Sequence, residues 1–191
     1  MERIPIMSEK ITSTYVAVLR GINVSGKNMI KMPALVKSFE SLEFEAVRSY
    51  IQSGNLVFDA PTAESAVLAK RIHDQIIEDF GFDIPVLVMG IGELVHIRDA
   101  NPYIQRPEID PAALHVTFLE NIPDEELVAG IDPVKYHPDE FIVIGKSVYL
   151  HCPVGYGTTK LNNNFFENKL KTKATTRNWK TVNKLVELVE N

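Results

Sequence analysis

Apolar positions along the chain change period in a repeating order. Tyr15-Val-Ala-Val-Leu19 is short, β-branched and without helical spacing, which predicts a buried strand. After the polar stretch Arg20–Asn28, Pro33 suits the first turn of a helix whose Leu35, Val36, Phe39 and Leu42 share one face. Val47–Phe58 reads as two strands broken at Ser53-Gly54, hence a hairpin. Leu68, Ile72, Ile76 and Phe80 recur every fourth residue, so Glu64–Phe80 is expected as a helix closed by Gly81. Pro85–Met89 adds another strand, giving the order β-α-β-β-α-β.

A short helix over Glu93–Asp99 and a loop with Pro102 and Pro107 precede a second round. Leu114–Leu119 predicts a strand, Pro123–Ala129 a short helix, and Phe141–Leu150 a hairpin whose Gly145-Lys146 turn suits type II′. Thr159 is expected to cap a helix carrying Leu161, Phe165 and Leu170; Val182, Leu185, Val186 and Val189 line a final helix. The fold class expected is therefore α+β: two tandem ferredoxin-like units of βαββα type with antiparallel sheets. The first spans residues 13–100. The second, residues 111–191, is degenerate, its last strand shortened or lost before the C-terminal helix. Both alternating sets in the first strand, Tyr15/Ala17/Leu19 and Val16/Val18, are apolar, so its sheet should be covered on both faces, by the other unit or by a second chain.

Composition narrows the function classes. The 191 residues are 45% hydrophobic and 24% charged, ordinary for a chain with a real core. A net charge of −5 argues against broad electrostatic binding to nucleic acid or an anionic membrane. From Phe141 onward, however, eight Lys/Arg face three Glu, so that part carries +5 and the remainder −10. The lone Cys152 excludes an internal disulfide, charges at Glu2, Arg3, Glu9 and Lys10 interrupt any apolar leader, and no run reaches a membrane span, so a cytoplasmic location is expected. His151 and Cys152, adjacent in a strand, point to opposite faces and cannot act together; Cys152 reads as a small core residue. The five histidines lack metal-ligand spacing, and neither metal nor cofactor is expected.

Several short motifs carry a resemblance. Tyr15-Val-Ala-Val-Leu-Arg-Gly-Ile-Asn-Val24 with Gly26-Lys27, Tyr50-Ile-Gln-Ser-Gly-Asn55, Pro153-Val-Gly-Tyr-Gly157 with Lys160-Leu161, and Thr175-Thr-Arg-Asn-Trp-Lys-Thr181 occur in that order. The chain from residue 14 onward resembles the bacterial domain of unknown function 1697 family. That resemblance implies a conserved bacterial cytosolic α+β protein without an agreed activity. Asn162, Asn163 and Asn164, like Ser25, read as local variation.

Gly21-x-x-x-x-Gly26-Lys27-Asn28 is one residue short of a phosphate-binding P-loop, because Asn28 replaces the magnesium-holding hydroxyl and the helix begins several residues late. The loop can still offer cations and glycine amides to an anion. Ser53 and Asn55 flank Gly54 in the hairpin, where Gly and Asn tolerate positive φ. Thr176 or Asn178 can cap the last helix while Trp179 packs inward, or Arg177 can meet an anion at that helix start. Lys160 stands in the same way before the preceding helix. The expected function is binding of a small anionic ligand by Arg20, Asn23, Lys27, Ser53, Asn55, Lys160, Arg177 and Asn178. No catalytic residue is identified, and whether the protein is an enzyme stays open. The alternatives are a nucleic-acid-binding module using the basic C-terminal part, or a homodimeric scaffold.

Overall fold

Strand β1 (Thr12–Leu19) alternates its buried side chains between two separate cores, and the architecture follows from that. The computed structural model describes residues 11–190; the charged segment 1–10, on which the expected lack of a leader rests, lies outside them. Helix α1 (Met32–Ser41), strands β2 (Glu45–Tyr50) and β3 (Asn55–Pro61), helix α2 (Ser65–Phe80), strand β4 (Val86–Gly90) and helix α3 (Ile91–Asp99) complete the first round. Strand β5 (Leu114–Leu119), helix α4 (Glu125–Ala129), strands β6 (Glu140–Ile144) and β7 (Ser147–His151), helix α5 (Asn163–Leu170), strand β8 (Ala174–Asn178) and helix α6 (Trp179–Glu190) form the second. Each round builds one four-stranded antiparallel sheet, ordered β2-β3-β1-β4 and β6-β7-β5-β8, so the protein is α+β.

Local signals explain most boundaries. Pro33 opens α1, and Gly81 closes α2 at φ +71, its N–H reaching the Ile77 carbonyl at 2.9 Å. Gly145 takes φ +56 in the β6–β7 turn, while Lys146 keeps an ordinary φ, as a type II′ turn requires. Two expectations need correcting. The last strand of the second round is present: β8 is as long as β4, and its sequence Ala-Thr-Thr-Arg-Asn conceals it because hydroxyl pairs and guanidinium contacts replace apolar alternation. The cap of α5 is Asn162, whose Oδ1 accepts the Phe165 N–H at 3.0 Å; Thr159 instead closes the preceding turn onto the Leu161 N–H.

Three cores are stacked in sequence. Tyr15, Ala17, Leu19, Leu56 and Phe58 pack under Leu35, Phe39, Leu68, Ile72 and Ile76 of α1 and α2. On the far side of the second sheet, Val148, Leu150 and Cys152 meet Phe166 and Leu170 of α5. Between the sheets, Val16, Val18 and Val57 share a core with Val116, Phe118 and Tyr149, filled by Leu94 and Ile97 of α3 and Val182, Leu185 and Val186 of α6. The second apolar face of the first sheet is thus covered within one chain.

Gly54 shows how tightly the β2–β3 turn closes on β1. At φ +74, a Cβ there would lie 2.7 Å from Leu19 Cβ and 2.9 Å from Ile22 Cδ1. Gly54→Ala is expected to cost about 3 kcal/mol, combining left-handed strain with overpacking. Gly21→Ala, at φ +75 but with nothing near its Cβ, should cost about 1 kcal/mol. Urea unfolding of both variants checks this; equal losses would mean the close approach contributes nothing.

Candidate functional site

The ladder registers superpose the two rounds residue by residue. Leu19 N–H meets the Gly54 carbonyl at 2.8 Å, and Leu119 N–H meets the Lys146 carbonyl at 2.8 Å. Arg20 N–H reaches the Pro85 carbonyl, and Glu120 N–H the Lys173 carbonyl, both at 3.0 Å. Arg20 therefore corresponds to Glu120, Val86 to Ala174, Val88 to Thr176, and Met89 (opposite Val16) to Arg177 (opposite Val116). Aligning helix starts matches Ser65, Ala66 and Ala69 of α2 to Asn163, Asn164 and Glu167 of α5, with buried Leu68 and Ile72 falling on Phe166 and Leu170. The molecule consequently has two related junctions, each between the edge strand of one sheet and the end of the other sheet's central strand.

One junction is bolted shut. The Arg177 guanidinium, reaching from β8, donates to the carbonyls of Leu19 (2.6 Å), Ser53 (3.0 Å) and Gly54 (3.3 Å), to the Thr176 carbonyl (2.9 Å), and to Asn55 Oδ1. No carboxylate is among these partners. Burial lowers its pKa to about 10, which still leaves it cationic at neutral pH. Arg20 crosses in the other direction, pairing with Glu167 at 2.5 Å and bonding Asn164 and the Ala174 carbonyl. Glu167 also accepts the Ala174 N–H at 3.1 Å, so both outward groups of that edge residue are satisfied by side chains. Thr176 Oγ1 meets Thr117 Oγ1 and Asn163 Oδ1, each at 2.6 Å.

The polar loops singled out in the sequence converge here in part. Asn23 Nδ2 donates to the carbonyls of Ile30 (2.9 Å) and Gln52 (2.8 Å), tying the Arg20–Asn28 loop to the hairpin turn. Asn55 is a fully buried β3 residue whose Nδ2 reaches Tyr50 O and Ser53 Oγ. The positive φ values of that turn belong to Ile51 and Gly54, not to Asn55, because Asn55 already pairs with Val18 in the ladder. Asn178 caps α6 through the Thr181 N–H at 2.8 Å, and Trp179 packs in the central core. Lys27 is exposed on its loop, and Lys160 stands with Lys135 at a separate shallow concavity of about 250 Å³. Sequence reasoning missed Asn163, Asn164 and Glu167. Their signal was an Asn-rich run before a helix, which announces a cap but not its partners.

The other junction is open. A cavity of about 370 Å³ runs along β4, walled by Val86–Met89, Phe118 and Leu119 and floored on the α2 side by Ser65, Ala66 and Ala69. Lys70, Lys146 and Lys173 stand at its rim with Glu93 and Glu120. Lys173 pairs with Glu120 at 3.5 Å and Lys70 with Asp74 at 2.5 Å; among the described residues no carboxylate pairs with Lys146. No group of His, Cys, Asp and Glu suited to a metal occurs among the described residues, and no helix there is long and apolar enough to cross a membrane. Every described Phe, Tyr and Trp is at least partly buried, so the basic run at Lys169, Lys171 and Lys173 lies beside no exposed stacking ring.

Residues 12–149 match the model of a family described as protein of unknown function, DUF1697. The chain belongs to that family. The match ends before Pro153–Gly157 and Thr175–Thr181, so the DUF1697 model does not reach Arg177. No curated protein matches this sequence. Among solved structures, the conserved bacterial protein SP0830 from Streptococcus pneumoniae is similar, with a TM-score of 0.75 and 20% identity over 94% of this chain and 99% of that one. The likeness is one of fold.

Two outcomes test the bolted junction of this DUF1697 member. Arg177→Ala removes the guanidinium donor from the carbonyls of Leu19, Ser53, Gly54 and Thr176 and from Asn55, the Gly54 carbonyl alone keeping a backbone donor in Leu19, and should cost about 3 kcal/mol in urea unfolding, with Arg177→Lys recovering less than half, because an ammonium cannot serve acceptors fanned around a planar guanidinium. A loss below about 1 kcal/mol for Arg177→Ala would mean the bolt is idle. Burial also pushes the Cys152 thiol up to about 11. For a folded pKa raised above the unfolded one, the stabilisation is full below about pH 8.5 and disappears as pH climbs toward 11. Wild type should therefore lose stability relative to Cys152→Ala across that window, measured by unfolding at stepped pH.

Proposed function

We propose that this protein binds a small anionic ligand, and that the open junction along β4 is where it does so. The observation that carries the reading is a recessed cavity of ligand size with an apolar wall and three lysines at its rim. The apolar wall supplies burial, while Lys146 has no carboxylate partner among the described residues. The loop residues read from the sequence bear on this site indirectly: Arg20, Ser53, Asn55 and Arg177 hold the twin junction closed, with Asn23 tying the adjoining loop to the hairpin turn, and so support the sheets that wall the cavity. In the same reading each round is a ferredoxin-like unit, residues 13–100 and 111–191. The strand order 2-3-1-4, repeated as 6-7-5-8 with α1/α2 and α4/α5 on the outer faces, supports that assignment.

A melting-temperature panel of small carboxylates, sugar phosphates, nucleotides and short RNAs tests the proposal, since a ligand of the native state must raise the transition. At least one small anion is expected to do so in wild type, and Lys146→Ala with Lys173→Ala should weaken it about tenfold or more, the scale of charge-assisted hydrogen bonds. A flat panel, or a shift indifferent to both lysines, would remove the site. A shift produced by RNA alone and abolished by salt would move the function to the basic C-terminal surface.

A further inference from the structure

The open cavity lies at the junction that has no plug. At the closed junction, Asn163, Asn164, Glu167, Arg20 and Arg177 fill the space between edge strand and neighbouring sheet. At the open one, the corresponding residues are Ser65, Ala66, Ala69, Glu120 and Met89. Where the closed junction has three polar side chains on its helix, the open one has one hydroxymethyl and two methyls, and those three residues line the cavity.

The backbone of β4 carries the consequence. Arg20 N–H bonds the Pro85 carbonyl, so in an antiparallel ladder Pro85, Leu87 and Met89 turn their polar groups to β1, while Val86 and Val88 turn theirs away. β4 is the edge of its sheet. Among the described residues nothing hydrogen-bonds to the outward N–H and C=O of Val86 or Val88, although both residues wall the cavity. At the closed junction the equivalent N–H, that of Ala174, is held by the Glu167 carboxylate, and the equivalent C=O by the Arg20 guanidinium. The molecule thus contains its own template for the acceptor to which the Val86 amide donates.

We infer that the cavity receives, from outside the chain, an extended peptide whose backbone pairs with the β4 edge at Val88 and whose acidic side chain sets a carboxylate on the Val86 amide. The inference rests on the cavity being a ligand site and narrows the ligand to an acidic peptide. Val86 and Val88 stand one strand repeat apart on the edge, a span that a backbone paired at Val88 and a side-chain carboxylate at Val86 serve together and a compact anion cannot. Lys70, Lys146 and Lys173 complement the incoming carboxylate, and Glu120, standing where Arg20 stands in the twin, presents an acceptor to a peptide N–H or ammonium.

The test is amide-resolved NMR on the full chain titrated with acetylated valine tripeptides carrying one Glu at the first, second or third position, their Gln counterparts, and citrate. A Glu tripeptide is expected to shift the Val86 and Val88 amides saturably, with the best Gln counterpart about tenfold weaker. Ala69→Glu, which rebuilds the internal carboxylate, should abolish that binding; if the variant does not fold, Lys146→Glu on the exposed rim should weaken it about tenfold by charge reversal. Citrate binding in the cavity with no peptide response overturns the peptide inference and leaves the anion site standing. Silence of every probe at Val86 and Val88 overturns the inference, and a flat melting panel besides overturns the site itself. Equal affinity for Glu and Gln peptides, or an Ala69→Glu protein that binds like wild type, also overturns it.

Discussion

Each sheet in this chain is apolar on both faces, and that requirement organises everything else. Val16, Val18 and Val57 on one sheet and Val116, Phe118 and Tyr149 on the other would face water if either round stood alone. Helices α3 and α6, each following the last strand of its own round, turn back into the gap and pack on both sheets together. Hydrogen bonds across the gap reinforce the layer: the Tyr149 hydroxyl donates to the Ile97 carbonyl at 2.9 Å, and Arg48 reaches the Leu188 carbonyl. The apolar residues are shared between rounds, so the central core cannot be divided without exposing them.

Joining two similar rounds through a common layer creates two similar junctions, and different side chains give them opposite properties. The closed one buries a cation, and buried charge is tolerated only when its donors are taken up. Arg177 meets that condition with backbone carbonyls rather than an acid, which leaves a net positive group at the heart of the seam. The Arg20–Glu167 pair is partly exposed, so its Coulombic contribution is modest; its structural use is to satisfy both edge groups of Ala174. Gly54 belongs to the same device, since its carbonyl serves both Leu19 and Arg177 and its missing side chain lets the turn approach β1.

The sequence carried the fold well where elements follow from local physics. Hydrophobic period, Pro33, Gly81 and the Gly145-Lys146 turn located helices and hairpins because each depends on neighbours a few residues away. Strand β8 escaped because its polar side chains are matched to partners from Asn55, Thr117 and Asn163, the first two of which lie far outside any window around Ala174. The loops at Arg20, Ser53 and Arg177 were recognisable as special, yet their roles are set by contacts spanning more than a hundred positions. The cavity left no mark at all. Ser65, Ala66 and Ala69 are unremarkable residues at the start of a helix, and only register alignment with Asn163, Asn164 and Glu167 shows that something is missing there.

An unpaired strand edge has a plain alternative explanation, since proteins commonly protect edges with lysines. Lys146 and Lys173 fit that role at the mouth of the cavity. Protection alone does not account for the recess. An edge needs a guard where another sheet can reach it, and β4 lies between α2 and α3, with Ser65, Ala66 and Glu93 among the lining residues. A second sheet is hindered from docking into such a slot, whereas a segment of a few residues fits the volume. Exclusion of sheets and admission of a short chain are one geometry, and the lysines that discourage the first attract a carboxylate on the second.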